Sequence, residues 1–77
     1  MHSATVNPSE ALAATLAKLD AAAAHYSAEI DRLTAEAKAA KEAGDLETLA
    51  DIREDRDRAV SLFNFACDRA ATLRASR

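Results

Sequence analysis

The chain has very few of the residues that punctuate or cross-link a fold: one glycine, one proline, one cysteine and no tryptophan in 77 residues. A single cysteine excludes an intramolecular disulfide framework. Valine, isoleucine and the aromatic residues together number seven, too few for a protein built from β-sheets. No apolar run exceeds four residues, as at 21–24, so no membrane-spanning helix is predicted. The class that remains is a single all-α domain.

Alanine dominates what is present, with 21 of the 38 apolar residues. It is the best helix former but buries little surface, so the composition indicates long helices around a thin core. The formal net charge is −3. General electrostatic attraction to nucleic acid or to an anionic membrane is therefore not expected.

Two sets of capping residues predict where the helices begin and end. Asn7 is a favoured N-cap, and Pro8 suits the first helical position. Gly44 can adopt the left-handed conformation that ends a helix, and Asp45 can cap the next one. These signals predict a tight turn between two helices. The predicted organisation is a frayed tail at 1–7 and one hairpin at 8–77, made of a helix at 8–43, a turn at 44–45 and a helix at 46–74.

Apolar residues recur with the alternating spacing of three and four that is typical of coiled coils. The predicted seam is Leu12, Leu16, Leu19, Ala23, Tyr26, Ile30, Leu33, Ala37 and Ala40 in the first helix, and Leu49, Ile52, Arg56, Ala59, Phe63, Ala66, Ala70 and Leu73 in the second. Folding at the turn places residue i near residue 89−i. We predict an antiparallel, coiled-coil-like two-helix hairpin. Because one partner helix cannot cover every large apolar side chain, we expect two hairpins to form a dimeric four-helix bundle.

The second helix has an apolar surface wider than one partner helix can cover. Val60, Leu62 and Phe65 flank its seam, and arginines lie along the same helix. These observations predict a partner-binding surface. Its candidate residues are Val60, Leu62, Phe65, Arg56, Arg58 and Arg69.

Arg56 interrupts the seam, and three interpretations of it stay open. In the 89−i register it lies near Leu33, where its side chain could extend to Glu29 or Glu36. A polar seam residue could instead fix register and oligomeric state, or be held for a partner. The other charges around it are interpreted as a solvated face with i,i+4 pairs, Glu54 with Arg58 and Arg53 with Asp57.

Residues suited to catalysis or cofactor binding are scarce. His25 and Glu29 have a spacing that can hold a metal, but no second histidine lies nearby, so we interpret His25 as solvated. Cys67 has no evident base, and we interpret it as a small buried apolar residue. One glycine cannot build a phosphate-binding loop. The sequence predicts no catalytic residue, metal, cofactor or small-molecule substrate, and we expect a protein that is not an enzyme.

The predicted function is that of a non-catalytic protein-interaction module, namely an adaptor, a chaperone-like protein or an inhibitor. In length and layout the chain resembles small dimeric hairpin proteins such as the plasmid RNA-binding regulator Rop and the hairpin co-chaperones of type III secretion. Two alternatives stay open: a phage- or plasmid-encoded inhibitor of a nucleoprotein machine, such as an anti-CRISPR protein, and a Rop-like dimeric RNA-binding regulator. The interleaved acids make nucleic acid the less expected partner. The polar N-terminal stretch and the lone cysteine predict a cytoplasmic location.

Overall fold

The computed structural model describes residues 7–76, which form two α-helices: α1, Pro8–Glu42, and α2, Leu46–Ala75. The helices pack against each other as an antiparallel hairpin, as the heptad pattern predicted. Most of the predicted N-terminal tail, residues 1–6, lies outside the described residues. The Cα atoms extend over 63 × 26 × 14 Å. The smallest of these dimensions is that of a single layer of helices, so both broad sides of the hairpin are open.

The capping residues act as their types predict. The Asn7 side chain accepts a hydrogen bond from the Ser9 backbone N–H at 2.9 Å. The Asp45 carboxylate accepts one from the Thr48 N–H at 3.1 Å. Hydrogen bonding by the Thr48 side chain, and next by its backbone N–H, lowers the pKa of Asp45 because it stabilises the charged form. Both helices therefore begin at a side chain that satisfies an otherwise unpaired donor.

The turn is built around Gly44, whose φ of 71° lies in the left-handed region. Its N–H donates to the Lys41 carbonyl at 3.1 Å, and the Asp45 N–H donates to the Ala40 carbonyl at 3.0 Å. This pair of bonds is the Schellman arrangement at a helix C-terminus. Ala43 is the C-cap of α1, so the chain reverses within three residues.

The core between the helices is narrow and half of its members are alanines. The buried residues are Leu16, Leu33, Ala40, Leu49, Ile52, Ala59, Ala66 and Ala70. Five of them form one cluster near the turn, against which Ile30 and Ala37 pack. In the 89−i register Ala40 corresponds to Leu49, and the packed residues Ala37 and Ile30 correspond to Ile52 and Ala59. Large side chains facing small ones let the helices approach closely.

All eight buried residues belong to the predicted seam, yet none of the described side chains is fully enclosed. Within residues 7–76, neither helix combines the length and apolar character needed to cross a membrane.

Candidate functional site

A groove runs along one broad side of the hairpin, between the flanks of α1 and α2. It encloses about 280 Å³, and the buried side chains of Leu33 and Ala59 contribute to its lining. The other lining residues are His25, Tyr26, Glu29 and Arg32 from α1, and Asp55, Arg58 and Leu62 from α2.

Each wall of the groove belongs to a row of residues with alternating spacing of three and four. The α1 row is 18, 22, 25, 29, 32 and 36, and the α2 row is 51, 55, 58, 62, 65 and 69. Because an α-helix turns by about 100° per residue, each row follows one flank of the seam along its helix. We call these two rows together the groove side.

Large apolar side chains are exposed beside this groove. Leu62 is 40 % exposed and Phe65 is 66 % exposed. They lie within about 60° of each other around α2, so they form one apolar patch on the groove side. Arg58 and Arg69, within about 40° of Leu62, flank that patch along the helix. Four of the six predicted partner-binding residues therefore share this surface.

The other two predicted residues lie on the opposite side. Val60 is about 160° and Arg56 about 120° from Leu62 around α2, and both are half-buried. The structure therefore does not bring the six residues into one surface. We call the side that carries Arg56, Val60, Cys67 and Arg74 of α2, with Asp20 and Thr34 of α1, the bridge side.

Two arginines of α2 tie the helices together on the bridge side. The Arg56 Nε donates to the Thr34 hydroxyl oxygen at 2.9 Å, and that hydroxyl donates to the Ile30 carbonyl at 2.7 Å. Arg74 donates to the Asp20 carboxylate at 2.7 Å. In the part of the chain that the structure describes, these are the only side-chain hydrogen bonds between the two helices.

The partners predicted for Arg56 are wrong. Glu29 and Glu36 both bind Arg32 of their own helix, and within residues 7–76 neither forms a hydrogen bond or ion pair with Arg56. Arg56 instead reaches the Thr34 hydroxyl on the other flank of α1. The predicted pairing of Glu54 with Arg58 is also wrong, since Arg58 lies 3.6 Å from the carboxylate of Asp55. The other predicted i,i+4 pair, Arg53 with Asp57, is absent from the ion pairs found within residues 7–76.

Two arginines of the groove side, Arg32 and Arg58, are paired within their own helix. Arg32 donates to Glu29 through two nitrogens, at 2.8 and 3.0 Å, and also to Glu36. The hydrogen bond from Arg32 lowers the pKa of Glu29, and the bonds to Glu29 and Glu36 raise the pKa of Arg32. These pairs neutralise much of the local charge without joining α1 to α2, so the groove stays open.

Cys67 is exposed, which corrects its prediction as a small buried residue. It follows the buried Ala66 by one position, and a rotation of about 100° carries it out of the helix interface. His25 is exposed as predicted, and its ring meets Tyr26 edge-on at 5.2 Å between centroids. Among residues 7–76, no three His, Cys, Asp or Glu side chains form a group that could hold a metal ion.

The sequence interpretation missed the α1 wall of the groove and one exposed leucine. Each residue of the α1 row directly precedes a seam residue, so the wall repeats the spacing of the seam. That flanking row is the signal that could have identified His25, Glu29 and Arg32. Leu46, at the first position of α2, is 73 % exposed at the hairpin tip. In the sequence, Leu46 follows the cap Asp45, which indicates the start of a helix but does not indicate whether the leucine is exposed.

No protein-family model, no curated protein and no solved structure matches the chain. The geometry of the hairpin and the chemistry of its two sides are therefore the observations that bear on function.

Proposed function

We propose that the chain is a non-catalytic protein-binding module that acts in the cytoplasm, and that the groove side is its binding surface. The observation that carries the proposal is the exposed pair Leu62 and Phe65 beside an open groove. Two adjacent large apolar side chains on the rim of a concave surface are typical of a protein-binding anchor. Adaptors, chaperone-like proteins and inhibitors all act through surfaces of this kind.

The charges of the groove side favour a protein partner over nucleic acid. Arg32 and Arg58 are each paired with carboxylates, so their fields are largely cancelled. A protein surface that binds nucleic acid instead presents lysine and arginine side chains, free of ion pairs, to the phosphates. Lys18 and Arg69 are in no ion pair within residues 7–76, but they stand against four carboxylates on the same surface. An apolar patch with a charged rim suits another helix.

A second copy of the chain is the simplest partner, since it would complete the four-helix bundle expected from the thin core. A single layer of two helices leaves one broad surface of each helix without a packing partner. Small helical proteins commonly obtain the missing burial by self-association.

The test is a capture experiment with three immobilised proteins: wild type, Phe65→Ala and Leu46→Ala. Leu46 is a matched control because it is similarly exposed but lies at the hairpin tip, away from the groove side. The proposal expects specific protein partners from the native host that wild type and Leu46→Ala retain and Phe65→Ala loses. Identical profiles for all three proteins would contradict it.

A binding isotherm with RNA and DNA at two salt concentrations tests the competing function. The proposal expects no saturable binding at low salt. Tight binding that weakens steeply as salt rises would instead favour a Rop-like nucleic-acid regulator.

A further inference from the structure

We infer that a second copy of this chain occupies the groove side, and that the two copies run antiparallel with a two-fold axis passing between Leu62 and Phe65. The inference rests on the proposed binding surface and adds the identity and orientation of its occupant. Three observations carry it: the surface area of the single chain, the distribution of charge along the groove side, and the central position of the apolar patch.

The single chain exposes more surface than its mass requires. Its accessible area is 5557 Å² for 8.2 kDa. A compact monomer of that mass exposes about 4,500 Å². The excess of about 1,000 Å² is close to the roughly 800 Å² that each partner buries in a stable interface of ordinary size. One more copy packed on one broad side would therefore bring the exposed area to an ordinary value.

Charge is graded along the groove side from the turn to the open end. The turn half carries four carboxylates and two arginines, a net charge of −2, from Glu29, Arg32, Glu36, Asp51, Asp55 and Arg58. The open half carries Lys18 and Arg69, a net charge of +2. The apolar patch separates the two halves.

This gradient is complementary to itself only when the copies are antiparallel. With the axis between Leu62 and Phe65, Arg69 of one copy falls at the level of Arg58 of the other, about 4.5 Å along the helix from Asp55, the carboxylate that pairs with Arg58. Lys18 falls at the level of Leu33, between Glu36 and Arg32, and that arginine is itself paired with Glu29 and Glu36. The complementarity is therefore between the net charges of the facing halves, −2 and +2. In the parallel arrangement the two acidic halves meet, and Lys18 of one copy lies at the level of Arg69 of the other. Like charges facing each other disfavour that arrangement.

The patch also lies where an antiparallel pair needs its axis. In the 89−i register, positions 62–65 of α2 face positions 24–27 of α1, and the midpoint of α1 is residue 25. A two-fold axis at this level makes the two hairpins overlap along nearly their whole length. Leu62 of each copy then meets Phe65 of the other in an isologous contact.

A distance between two spin labels separates the arrangements. The label is attached at Glu42→Cys, at the exposed end of α1, in a Cys67→Ser background that removes the only native thiol. In the antiparallel dimer the labels lie about 50 Å apart, because 33 residues separate position 42 from its mirror position. In a parallel dimer they lie within about 25 Å, since neighbouring helices pack 8–10 Å apart.

A separation near 50 Å, lost in Phe65→Ala and kept in Leu46→Ala, supports the inference. A separation below about 25 Å overturns the antiparallel arrangement and leaves the groove side as the binding surface. Absence of any dipolar coupling up to millimolar concentration overturns the second copy as occupant. The proposed function then still depends only on the capture experiment, whose outcome is independent.

Charge reversal gives a second readout on a chain that keeps its fold. Arg69→Glu should raise the dimer dissociation constant several-fold, because it lowers the net charge of the open half from +2 to 0 while the half that it faces keeps −2. Adding Asp55→Arg to the same chain should recover most of that loss. If the double variant dimerises no better than Arg69→Glu, the antiparallel register is wrong.

Discussion

The two sides of the hairpin carry similar side chains but use them differently. On the bridge side, Arg56 and Arg74 cross from α2 to α1 and fasten the helices together. On the groove side, Arg32 and Arg58 bind carboxylates of their own helices. The bridge side therefore carries the side-chain hydrogen bonds that join the two helices. The groove side keeps an opening and two exposed apolar side chains for something else to cover.

The two sides differ in whether each arginine binds a residue of the other helix or a residue of its own helix. An arginine bound across the interface stabilises the pairing of the helices. An arginine bound within its helix contributes to a charged rim and leaves its flank free. The two sides should consequently respond differently to substitution: the bridge side in hairpin stability, the groove side in association.

Leu33→Ala should have the largest effect, because it should unfold the hairpin on which both sides depend. Leu33 is 5 % exposed, belongs to the core cluster and also lines the groove. Truncating a buried leucine costs about 2–5 kcal/mol, which is comparable to the whole stability of a small domain. Thermal unfolding followed by circular dichroism should show a largely unfolded chain at 25 °C. A cooperative transition close to that of wild type would show that the hairpin core is not where the burial places it.

Leu62→Ala and Val60→Ala form a matched pair that tests whether the two sides differ in their contribution to association. Each removes an apolar side chain next to the seam, one on each side of the hairpin. We expect Leu62→Ala to raise the dissociation constant of the dimer about tenfold, because it removes half of the apolar patch. Val60→Ala should leave that constant within about twofold and lower hairpin stability by about 1 kcal/mol.

Sedimentation velocity over a concentration series measures the difference in association. Equal effects of the two variants would mean that the two sides do not differ in association, contrary to this account.

Thr34→Val should weaken the bridge side by a smaller amount. The valine keeps the shape of the side chain but cannot accept the hydrogen bond from Arg56. A hydrogen bond at a partly exposed site contributes about 0.5–1 kcal/mol, so urea unfolding should shift by that much. Thr34→Ser keeps a hydroxyl and should retain most of the stability. The dissociation constant of the dimer should be unchanged in both variants. A changed constant would mean that the bridge side influences association through the groove side.

The smallest effect concerns the titration of Glu29 on the groove side. The hydrogen bond from Arg32 lowers the pKa of Glu29 below its ordinary value of 4.5. A carboxyl with a lowered folded pKa stabilises the fold above its unfolded pKa, and that contribution is lost as pH falls through the folded value. In Arg32→Ala, the carbon-detected NMR titration of Glu29 should move up toward the ordinary value. Arg53→Ala, on the other side of α2, should leave it unchanged.

Much of the hairpin could be predicted from the sequence because its signals are local and periodic. Gly44 and Asp45 fix the turn through backbone conformation and a cap, which depend on a few neighbouring residues. The alternating seam fixes which face of each helix is buried, and Leu49 and Ile52 lie in the core as predicted. The 89−i register follows from those two facts alone.

The pairing of the charged residues could not be predicted in the same way. Glu29 and Glu36 are within reach of both Arg32 and the seam position of Arg56, and spacing alone does not decide between them. Their side chains stay on their own helix because i,i+3 and i,i+4 neighbours are always close, whereas a contact across helices also requires a suitable rotamer. Exposure of Cys67 depends on a rotation of one residue around α2, which the width of the apolar pattern does not resolve.

The most direct test of the central claim is sedimentation equilibrium of wild type, Phe65→Ala and Leu46→Ala over micromolar to millimolar concentrations. Both substituted side chains are highly exposed in the single chain, so both variants should keep the helical content of wild type. We expect wild type and Leu46→Ala to dimerise with the same dissociation constant, and Phe65→Ala to raise it at least tenfold. Equal dissociation constants for wild type and Phe65→Ala would show that Leu62 and Phe65 do not form the contact between the two copies.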